Sequence, residues 1–382
     1  MRRLTVVQLL PALGSGGVER ATLEIAAALV KAGQRSIVIS AGGRLAPALQ
    51  AAGSEHITLD IGSKSLATLR HVLSLRRVFA RLRPDIVHAR SRLPAWIARL
   101  ALVGMRGPHF ITSVHGLNSP GFYSSILTRG ERVLCVSPTV RAHVLRQWPG
   151  TDPEKLLVIE PGIDAAVFCA GVGMDAGLDA DADAGAIGDV AAAAEAEANA
   201  NAPRAGGEKI LLMPGRGTRL KGHTAALTLL SGVRAAGVDA RLQLLGAYEP
   251  GREAYMRELD SIARGLGVAA FFQALPPTHD VVNAYRQCDL VLQLSSRPEA
   301  FGRTVIEALA VGKPVVGWAH GGVGESLARY FPEGQVPLGD QQALLATTLH
   351  LLARGVKPAR ISPQTLLDMQ ANTLKVYESI AG

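Results

Sequence analysis

The sequence has little cysteine: only Cys135, Cys169 and Cys288 occur in 382 residues. Their odd number and wide spacing exclude a framework of paired disulfides and the closely spaced cysteines of a structural zinc site. A chain of this kind must fold by burying apolar side chains rather than through covalent or metal cross-links. The cysteine usage predicts a reducing compartment, and we therefore expect a cytoplasmic protein.

Long apolar runs are also missing. A helix that crosses a bilayer needs roughly 18 or more uninterrupted apolar residues, and no segment reaches that length. The basic start and apolar run of residues 1–10 resemble a signal sequence, but the run stops at Pro11 before a glycine-rich turn. We interpret it as a first strand, and we expect a protein that is soluble or peripheral on the inner face of the cytoplasmic membrane.

Aromatic residues make up only 4% of the chain, and they are not interleaved with basic clusters. This composition disfavours nucleic-acid binding, which relies on aromatic stacking next to basic side chains. The formal net charge is nevertheless +8, and residues 1–165 carry 21 Lys plus Arg against 10 Asp plus Glu. Such a field attracts a polyanionic partner, whether a nucleotide, an acidic glycolipid or an anionic membrane surface.

Apolar residues, at 48%, are plentiful, and short apolar segments alternate with helical ones. This alternation is typical of a parallel sheet covered by helices on both faces. The predicted strands are 1–10, 36–40, 56–59, 85–89, 110–114, 132–137, 156–159, 209–213, 241–245, 268–273, 290–294 and 314–318. The predicted helices are 18–29, 45–52, 66–83, 95–103, one from 224, 254–265, 303–312 and 365–380. The chain is too long for one ordinary core, so we predict two doubly wound, Rossmann-like α/β domains.

The predicted N-terminal domain spans 1–165 and the C-terminal domain 208–360. A final segment, 361–382, is predicted to be a helix that packs back toward the N-terminal domain. Between the domains, 166–207 is rich in Ala, Asp, Gly, Glu and Asn and has too little apolar surface to offset the entropy of ordering, so we predict a flexible acidic insertion. Its Asp-Ala-Asp repeats match the spacing of a divalent-metal motif, but nothing would hold the ligands in place, and we predict no metal site.

The stretch 294–325 combines a buried strand, a loop, a helix and a second strand that runs into a glycine turn. The helix begins near Arg303, where unpaired N–H groups and the helix dipole favour an anion. Glu299 precedes this helix and Glu307 lies one turn into it. A carboxylate is a good acceptor for vicinal sugar hydroxyls. The apolar neighbours of Glu307 disfavour the alternative, a charge facing solvent.

Two further loops that follow predicted strands contain polar candidates. Arg216 and Lys221 lie in a glycine-containing turn, where two cations would neutralise a diphosphate and stabilise charge on a leaving group. The alternative for this turn is a solvated basic loop. His115 directly follows an apolar strand. Such a histidine can hydrogen-bond a ligand hydroxyl or carry a proton; the alternative is a buried histidine whose hydrogen bonds are satisfied within the protein.

Gly16 and Gly17 lie in the turn after the first strand. Glycines there permit close approach of a phosphate or a sugar to the backbone. Glu19 occupies the sixth position of a dinucleotide fingerprint, which disfavours a redox Rossmann site. A glycine turn with a purely structural role is the alternative.

Together these motifs resemble the retaining glycosyltransferases of family 4. The resemblance rests on Glu299 and Glu307 within PEAFGRTVIEALAVGKPVVG, on GGVE at 16–19, VHG at 114–116 and GRGTRLKGH at 215–223, and on the Gly321-Gly322 turn with Glu325. The motifs follow the order of the family over nearly the whole chain, with only the insertion left out. The resemblance implies the GT-B fold, in which two doubly wound domains face each other across a cleft.

For the C-terminal half, the resemblance implies a nucleotide-sugar donor site. Glu307 would hold the ribose, and Glu299 with the backbone around Phe301 and Gly302 would hold the donor sugar. The two cations of the 215–223 turn would hold the diphosphate.

For catalysis, the resemblance implies roles for His115, Arg216, Lys221 and Glu299. His115 would contact the donor sugar near the reacting carbon, and the glycine turn at 16–17 would approach the diphosphate. The family retains anomeric configuration without an established protein nucleophile, so no general base is assigned. It also works without a divalent metal, and no cofactor is expected besides the nucleotide-sugar substrate.

The acceptor side is less specific. The segment 112–136 resembles bacterial members that build lipopolysaccharide core or related envelope glycans, so we expect a glycan or glycolipid acceptor. In the helix 66–83, an apolar stripe either covers the sheet and leaves Arg76, Arg77 and Arg81 available outside, or rests on an anionic membrane or guides an acidic acceptor. The alternative functions are a nucleotide-sugar epimerase of the same fold and a non-catalytic protein that binds anionic surfaces.

Overall fold

The computed structural model describes residues 2–14, 16–65, 68, 70–168, 207–278, 280–359, 361 and 363–382. Two compact units make up the chain: unit 1 is Met1–Gly162 with Gln364–Gly382, and unit 2 is Ile163–Pro363. The predicted insertion at 166–207 lies outside the described residues except for 166–168 and 207.

Unit 1 is built on a parallel sheet. Its strands are β1 (Thr5–Leu9), β2 (Arg35–Ser40), β3 (Glu55–Thr58), β4 (Ile86–Ala89), β5 (His109–Val114), β6 (Arg132–Cys135) and β7 (Leu156–Val158). Its first helices are α1 (Gly17–Lys31), α2 (Ala46–Ala51), α3 (His71–Leu82), α4 (Arg92–Ala101), α5 (Phe122–Ser125) and α6 (Pro138–Gln147). The strand order is β3-β2-β1-β4-β5-β6-β7, with every neighbouring pair parallel. The central strand β4 is buried along its whole length because helices cover both faces of the sheet.

Unit 2 repeats this architecture with its own core. Its strands are β8 (Lys209–Pro214), β9 (Ala240–Leu245), β10 (Phe272–Leu275), β11 (Leu290–Gln293), β12 (Val315–Trp318) and β13 (Gln335–Val336). Its helices are α7 (Ala165–Phe168), α8 (His223–Ala235), α9 (Glu253–Gly265), α10 (Val281–Gln287), α11 (Arg303–Ala310), α12 (Gly321–Tyr330) and α13 (Gln341–Arg354). The strands are parallel in the order β10-β9-β8-β11-β12-β13. The predicted α/β fold class, with two doubly wound parallel sheets, is confirmed.

The last helix, α14 (Leu366–Ala381), belongs to unit 1. Thr365 caps it in a capping box with Asp368, which fixes its first turn. Met369 and Tyr377 then enter the core of unit 1 beside apolar residues of β1 and α1. The end of the chain is therefore part of the N-terminal unit.

Several element boundaries differ from the sequence predictions. Helix α3 begins at His71 rather than at 66, and β10 begins at Phe272 because 269–271 form a 3-10 turn. The Gly321-Gly322 pair opens α12 instead of forming a turn. Helices α5, α6, α7, α10 and α13 and strand β13 were not predicted, although Ser137 followed by Pro138 is a helix start that the sequence displays.

Helix α3 also corrects one prediction about exposed arginines. Leu75 and Phe79 bury its apolar face, while Arg77 and Arg81 are exposed. Arg76 is not available outside, because its Nη1 donates to the carbonyl oxygens of Ala101 and Val103 at 2.9 and 2.5 Å. It thereby satisfies carbonyls at the carboxyl end of α4. No helix in the described ranges has the length and apolar character that crossing a membrane requires.

Candidate active site

In unit 2, the order of the strands reverses between β8 and β11. Doubly wound sheets bind ligands outside the carboxyl ends of the strands at such a point, because the two connections diverge there and leave a crevice. The loop 215–222 follows β8 and the loop 294–302 follows β11. A backbone hydrogen bond of 2.8 Å from Ser296 N to Leu220 O joins the two loops. The donor-site residues predicted in the C-terminal half lie on these loops, except Glu307, which lies on α11 directly after the second.

Lys221 and Glu299 form an ion pair where the loops meet. The Lys221 Nζ lies 2.7 Å from Glu299 Oε1, and the two side chains are 26% and 22% exposed. Ser295 Oγ donates to the same carboxylate oxygen at 2.5 Å, and Gln293 Nε2 approaches the other at 3.4 Å. The sequence predicted separate ligands for the lysine and the glutamate, whereas the structure pairs them. An ammonium has three N–H donors, so Lys221 can keep this partner and still donate to a ligand.

Glycines allow the 215–222 loop to lie against its neighbours. Gly222 has a φ of +85°, and a Cβ built there would overlap the carbonyl oxygen of Leu294. A Cβ on Gly215 would lie 3.2 Å from Cδ of Lys221, so this glycine leaves room for the lysine stem. The glycines of the motif thus fix where the Lys221 ammonium lies relative to the second loop.

Glu307 is 7% exposed and is held by two donors. The Tyr285 hydroxyl donates to Oε2 at 3.0 Å, and Arg303 Nε donates to Oε1 at 3.0 Å. Burial, and then the Glu307 carboxylate, raise the pKa of Tyr285 well above its usual value, so this hydroxyl remains a donor. Each carboxylate oxygen keeps a second acceptor position for a ligand. The Arg303 contact is readable from the i,i+4 spacing, but Tyr285 comes from α10, and no sequence signal identified it.

The loop that carries Glu299 is held by the first residues of α12. Gly322 N donates to Glu299 O at 2.8 Å, and a Cβ on Gly322 would lie 2.6 Å from Phe301 Cα. Gly321 has a φ of +55°, and its Cβ would lie 2.7 Å from Glu299 O. The predicted glycine pair therefore provides a surface against which the 298–301 backbone packs.

The amino ends of α11 and α12 are adjacent. Gly302 caps α11 and His320 caps α12, and within the described residues neither makes a side-chain capping hydrogen bond. A Cβ on Gly302 would lie 2.9 Å from Gly322 O, which places the two ends side by side. The positive ends of two helix dipoles are thus concentrated beside the Glu299 loop, an environment that favours an anion.

Two other predicted donor-site residues are placed less centrally. Arg216 is exposed, and no hydrogen bond or ion pair of its side chain is found within the described part of the chain; its backbone carbonyl accepts from Thr218 N at 2.7 Å. Phe301 is partly buried and packs against the core of unit 2, so its ring supports the loop while its backbone lines the loop surface. Lys221 and Glu299 are brought together, whereas Arg216 stays outside their pair.

In unit 1, the strand order reverses between β1 and β4. Gly16 caps α1 in an extended conformation, and Gly17 is its first residue. A Cβ on Gly17 would meet nothing within 4 Å, and one on Gly16 would meet only the Glu19 carboxylate. The protein's own packing thus does not require either glycine, and their predicted approach to a ligand stays a prediction.

His115 follows β5 and lines a cavity of unit 1. Burial, and then the nearby Arg90 guanidinium, lower its pKa to about 3. The imidazole is therefore neutral near pH 7 and acts as a hydrogen-bonding group rather than a cation. Its Nε2 is buried and has no hydrogen-bond partner among the described residues.

A search of the described residues finds no group of three or more His, Cys, Asp or Glu side chains placed to hold a metal ion. The Asp-Ala-Asp repeats of the predicted insertion lie outside those residues.

Two family models match consecutive parts of the chain. Residues 15–167 match the model described as "Glycosyltransferase Family 4", and residues 195–365 match "Glycosyl transferases group 1". A curated relative, the D-inositol 3-phosphate glycosyltransferase of Segniliparus rotundus, is 31% identical over 210 residues. That match covers 53% of this chain and 40% of the relative, so the chain spans about two fifths of the relative's length.

Solved structures share the whole fold. A glycosyltransferase from Rickettsia africae superposes with a TM-score of 0.82 at 26% identity and covers 100% of this chain and 99% of its own. HepE of Anabaena, solved with UDP and glucose, gives a TM-score of 0.77 at 18% identity over 99% and 100% of the two chains. WaaG, a glycosyltransferase involved in lipopolysaccharide biosynthesis, gives 0.67 at 16% identity over 98% and 94%.

The two family models follow each other in chain order. They include both switch points, the positions where the strand order reverses: between β1 and β4 in unit 1 and between β8 and β11 in unit 2. The full-length superpositions show that the Rickettsia africae glycosyltransferase and HepE share this fold. The predicted resemblance is confirmed: the chain belongs to the family 4 type of glycosyltransferases with the GT-B fold.

Proposed function

We propose that this protein transfers a sugar from a nucleotide-sugar to a glycan or glycolipid acceptor, with retention of anomeric configuration and without a divalent metal. The support is the family, together with the neighbour solved with UDP and glucose. The observation that carries the proposal is the meeting of Lys221, Glu299 and two helix amino ends at the switch point of unit 2. Cationic and acidic groups stand together there, as a diphosphate flanked by sugars requires.

Groups of unit 2 would stabilise the negative charge of the donor's diphosphate. When the glycosidic bond to the nucleotide breaks, negative charge grows on the leaving diphosphate. Lys221 and the amino ends of α11 and α12 would stabilise that charge, which is the work a divalent cation does in other transferases. Because Ser295 and Gln293 hold Glu299, the Lys221 ammonium is positioned before the donor binds.

The carboxylates of Glu299 and Glu307 would accept hydrogen bonds from the donor's hydroxyls. Glu307, held by Tyr285 and Arg303, is proposed to accept from the ribose, and Glu299 from the transferred sugar. Arg216, Phe301 and Gly302 stay proposed donor contacts.

The proposed roles in unit 1 are those of Gly16, Gly17 and His115. A histidine with a pKa of about 3 suits a neutral hydrogen bond to a sugar hydroxyl better than proton transfer at pH 7. We therefore propose His115 as a positioning contact for the reacting sugar and assign no general base.

The acceptor is proposed to be a phosphorylated or lipid-linked glycan of a bacterial envelope, lipopolysaccharide included. The relative named for D-inositol 3-phosphate supports a small phosphorylated acceptor, and the segment 112–136 supports an envelope glycan. Contact of the exposed Arg77 and Arg81 with an anionic membrane is part of this proposal.

Transfer assays with UDP-glucose and a panel of other nucleotide-sugars test the proposal. We expect a product in which NMR shows the donor's anomeric configuration, and activity that persists in chelator. Lys221→Ala should lower kcat/KM by about 100-fold or more, because it removes one preorganised cation. Lys357→Ala, an exposed lysine at the amino ends of the same strands, is the matched control and should leave kcat/KM unchanged. If the protein formed an epimerised nucleotide-sugar in the absence of an acceptor, its activity would be epimerisation and the proposed transfer would be wrong.

A further inference from the structure

A cavity of about 330 Å³ opens in unit 1 at the carboxyl ends of β1, β4 and β5. It lies at the switch point between β1 and β4, where doubly wound sheets bind ligands. Its polar lining includes Lys64, Arg90, Arg92, Ser113, His115 and Asn118. No aspartate or glutamate belongs to the lining within the described residues. A cavity with three cations and no acid in its wall suits an anion.

Arg90 is the buried member of this lining. It is 5% exposed, and its Nε donates to Gln8 Oε1 at 2.8 Å. Its Nη2 is buried and has no hydrogen-bond partner among the described residues. A charged donor left in this state destabilises the fold, so a ligand that accepts a hydrogen bond from it binds more tightly. Arg90 was not predicted as a site residue, because an arginine after a strand carries no sequence signal of burial.

His115 supplies a second unpartnered nitrogen in the same cavity. Its Nε2 is buried without a partner in the described residues, and Arg90 is close enough to lower its pKa. A neutral imidazole whose Nε2 carries the proton donates a hydrogen bond without needing a carboxylate nearby. Two buried nitrogens in one cavity thus lack partners among the described residues, and both donate to an anion when the His115 proton is on Nε2.

A buried network holds Arg90 from behind. Tyr377, on the last helix, interacts with Arg90 and shares a hydrogen bond of 2.7 Å with His88 Nδ1. His88 Nε2 in turn lies 2.6 Å from Ser113 Oγ. The carboxylate of Glu24 is near enough to favour the charged guanidinium. Burial lowers the pKa of Arg90, but a guanidinium stays protonated at pH 7, and this support fixes its position, the preorganisation that anion recognition requires.

Arg92 is fixed by other contacts. Its guanidinium lies 5.2 Å from the ring centre of Tyr123, and its Nη1 donates to Ser124 Oγ at 3.2 Å. Trp96 Nε1 holds the same segment through Tyr123 O at 2.9 Å. The second cation of the cavity is therefore also anchored, while the exposed Lys64 can move to meet a ligand.

We propose that this cavity binds the phosphate group of a phosphorylated acceptor, with Arg90 as its central ligand and Arg92 and His115 beside it. The inference rests on the proposed transferase function and specifies the class of its acceptor. The phosphate belongs either to a free phosphorylated polyol or to a lipid headgroup.

Calorimetric binding of D-inositol 3-phosphate and of unphosphorylated inositol to the full chain tests the inference. Wild type should bind the phosphorylated compound at least about tenfold more tightly, because one buried charge-assisted hydrogen bond is worth that factor. Arg90→Gln should remove most of this preference, by about 10- to 100-fold, and Arg90→Lys should restore only part, since lysine lacks the planar fork. Arg146→Gln, exposed on α6, is the matched control and should keep the preference.

A separate vesicle-binding experiment tests whether the phosphate belongs to a lipid headgroup. Vesicles of phosphatidylcholine with phosphatidylinositol 4-phosphate replace the soluble compound, and phosphatidylcholine alone is the blank. A preference seen only for these vesicles, and lost in Arg90→Gln, supports the inference and assigns the phosphate to a lipid.

UDP binding separates this inference from the proposed donor site. If wild type binds UDP but shows no preference for either phosphorylated ligand, the inference is wrong and the donor site stands. If the preference exists but survives in Arg90→Gln and in His115→Gln, the cavity is not its origin and the inference is equally wrong. Lys221→Ala should leave the preference intact, and the thermal unfolding transition of each unit 1 variant, compared with that of wild type, reports that unit 1 has folded.

Discussion

The switch points of the two units differ in how their cations are matched. In unit 2, Lys221 has a carboxylate partner at 2.7 Å, and Ser295 supports that partner. In unit 1, Arg90 and His115 each keep a buried nitrogen without a partner among the described residues. Lys221, which is paired with Glu299, can still donate to a ligand that carries both charge and hydroxyls. Arg90, whose Nη2 has no partner among the described residues, favours a ligand that brings only negative charge. According to the two proposals, the same sheet topology provides two anion sites of different kinds.

The largest effect should come from closing the space between the loops of unit 2. Gly222→Ala places a Cβ over Leu294 O at a φ of +85°, whereas Gly237 has a φ of +84° with open space around it. Gly237→Ala should lower the free energy of unfolding by about 1–2 kcal/mol, the strain of the left-handed backbone. Gly222→Ala should lower it by about 3 kcal/mol or more and abolish UDP binding, because the clash adds to that strain. Equal losses in urea denaturation would show that the loops adapt without harm.

The next effect separates a ligand role of Glu307 from a structural one. Glu307→Gln and Tyr285→Phe each disturb the same buried hydrogen bond, and each should destabilise unit 2 by about 1–3 kcal/mol. If Glu307 holds the ribose, only Glu307→Gln should also weaken UDP binding, by about tenfold. Calorimetry at matched folded fractions measures this, and parallel losses of affinity in both variants would make Glu307 a purely structural residue.

Acidification should affect unit 1 through His115. Its pKa is lowered from 6.5 to about 3 in the folded protein, so below pH 6.5 the unfolded chain takes up a proton that the folded chain does not. Stability that is fully present above pH 6.5 is lost as the pH falls toward 3, by no more than about 2 kcal/mol at pH 5. His115→Gln should flatten the pH dependence of unfolding, with the exposed His350→Gln as control. An unchanged slope would show that His115 is as free to protonate as in the unfolded chain.

The smallest effect concerns the outer surface of unit 1. Arg77→Gln and Arg81→Gln should each weaken binding to anionic vesicles about fivefold, and added salt should weaken it further. Arg76→Gln should instead lower the melting temperature with little change in vesicle binding, because Arg76 holds the end of α4. If all three variants bind vesicles like wild type, helix α3 has no membrane role.

Much of the fold follows from sequence because its signals are local. Alternating buried strands and helices predict two parallel sheets, and GRGTRLKGH predicts a tight strand-to-helix turn whose Gly222 indeed needs a positive φ. The Gly321-Gly322 pair was expected to be a turn because glycines usually end elements. It opens a helix instead, since the 298–301 backbone packs against it and leaves no space for a Cβ.

The site is less readable because its partners are distant in sequence. Lys221 meets Glu299 across 78 positions, and His88 meets Tyr377 across 289. No periodicity reports such contacts, and the burial of Arg90 depends on a helix from the end of the chain. Lys221, Glu299 and His115 were predicted as site residues, but Arg90 was not. The sequence also did not predict that Lys221 pairs with a carboxylate.

The most direct test of the donor site is a calorimetric titration of UDP into wild type, Lys221→Ala and Lys357→Ala at one salt concentration. We predict that Lys221→Ala weakens UDP binding by about 10- to 100-fold, since a charge-assisted contact to the diphosphate is lost, while Lys357→Ala binds like wild type. Equal affinity of all three proteins for UDP would contradict the assignment of the switch point in unit 2 as the donor site.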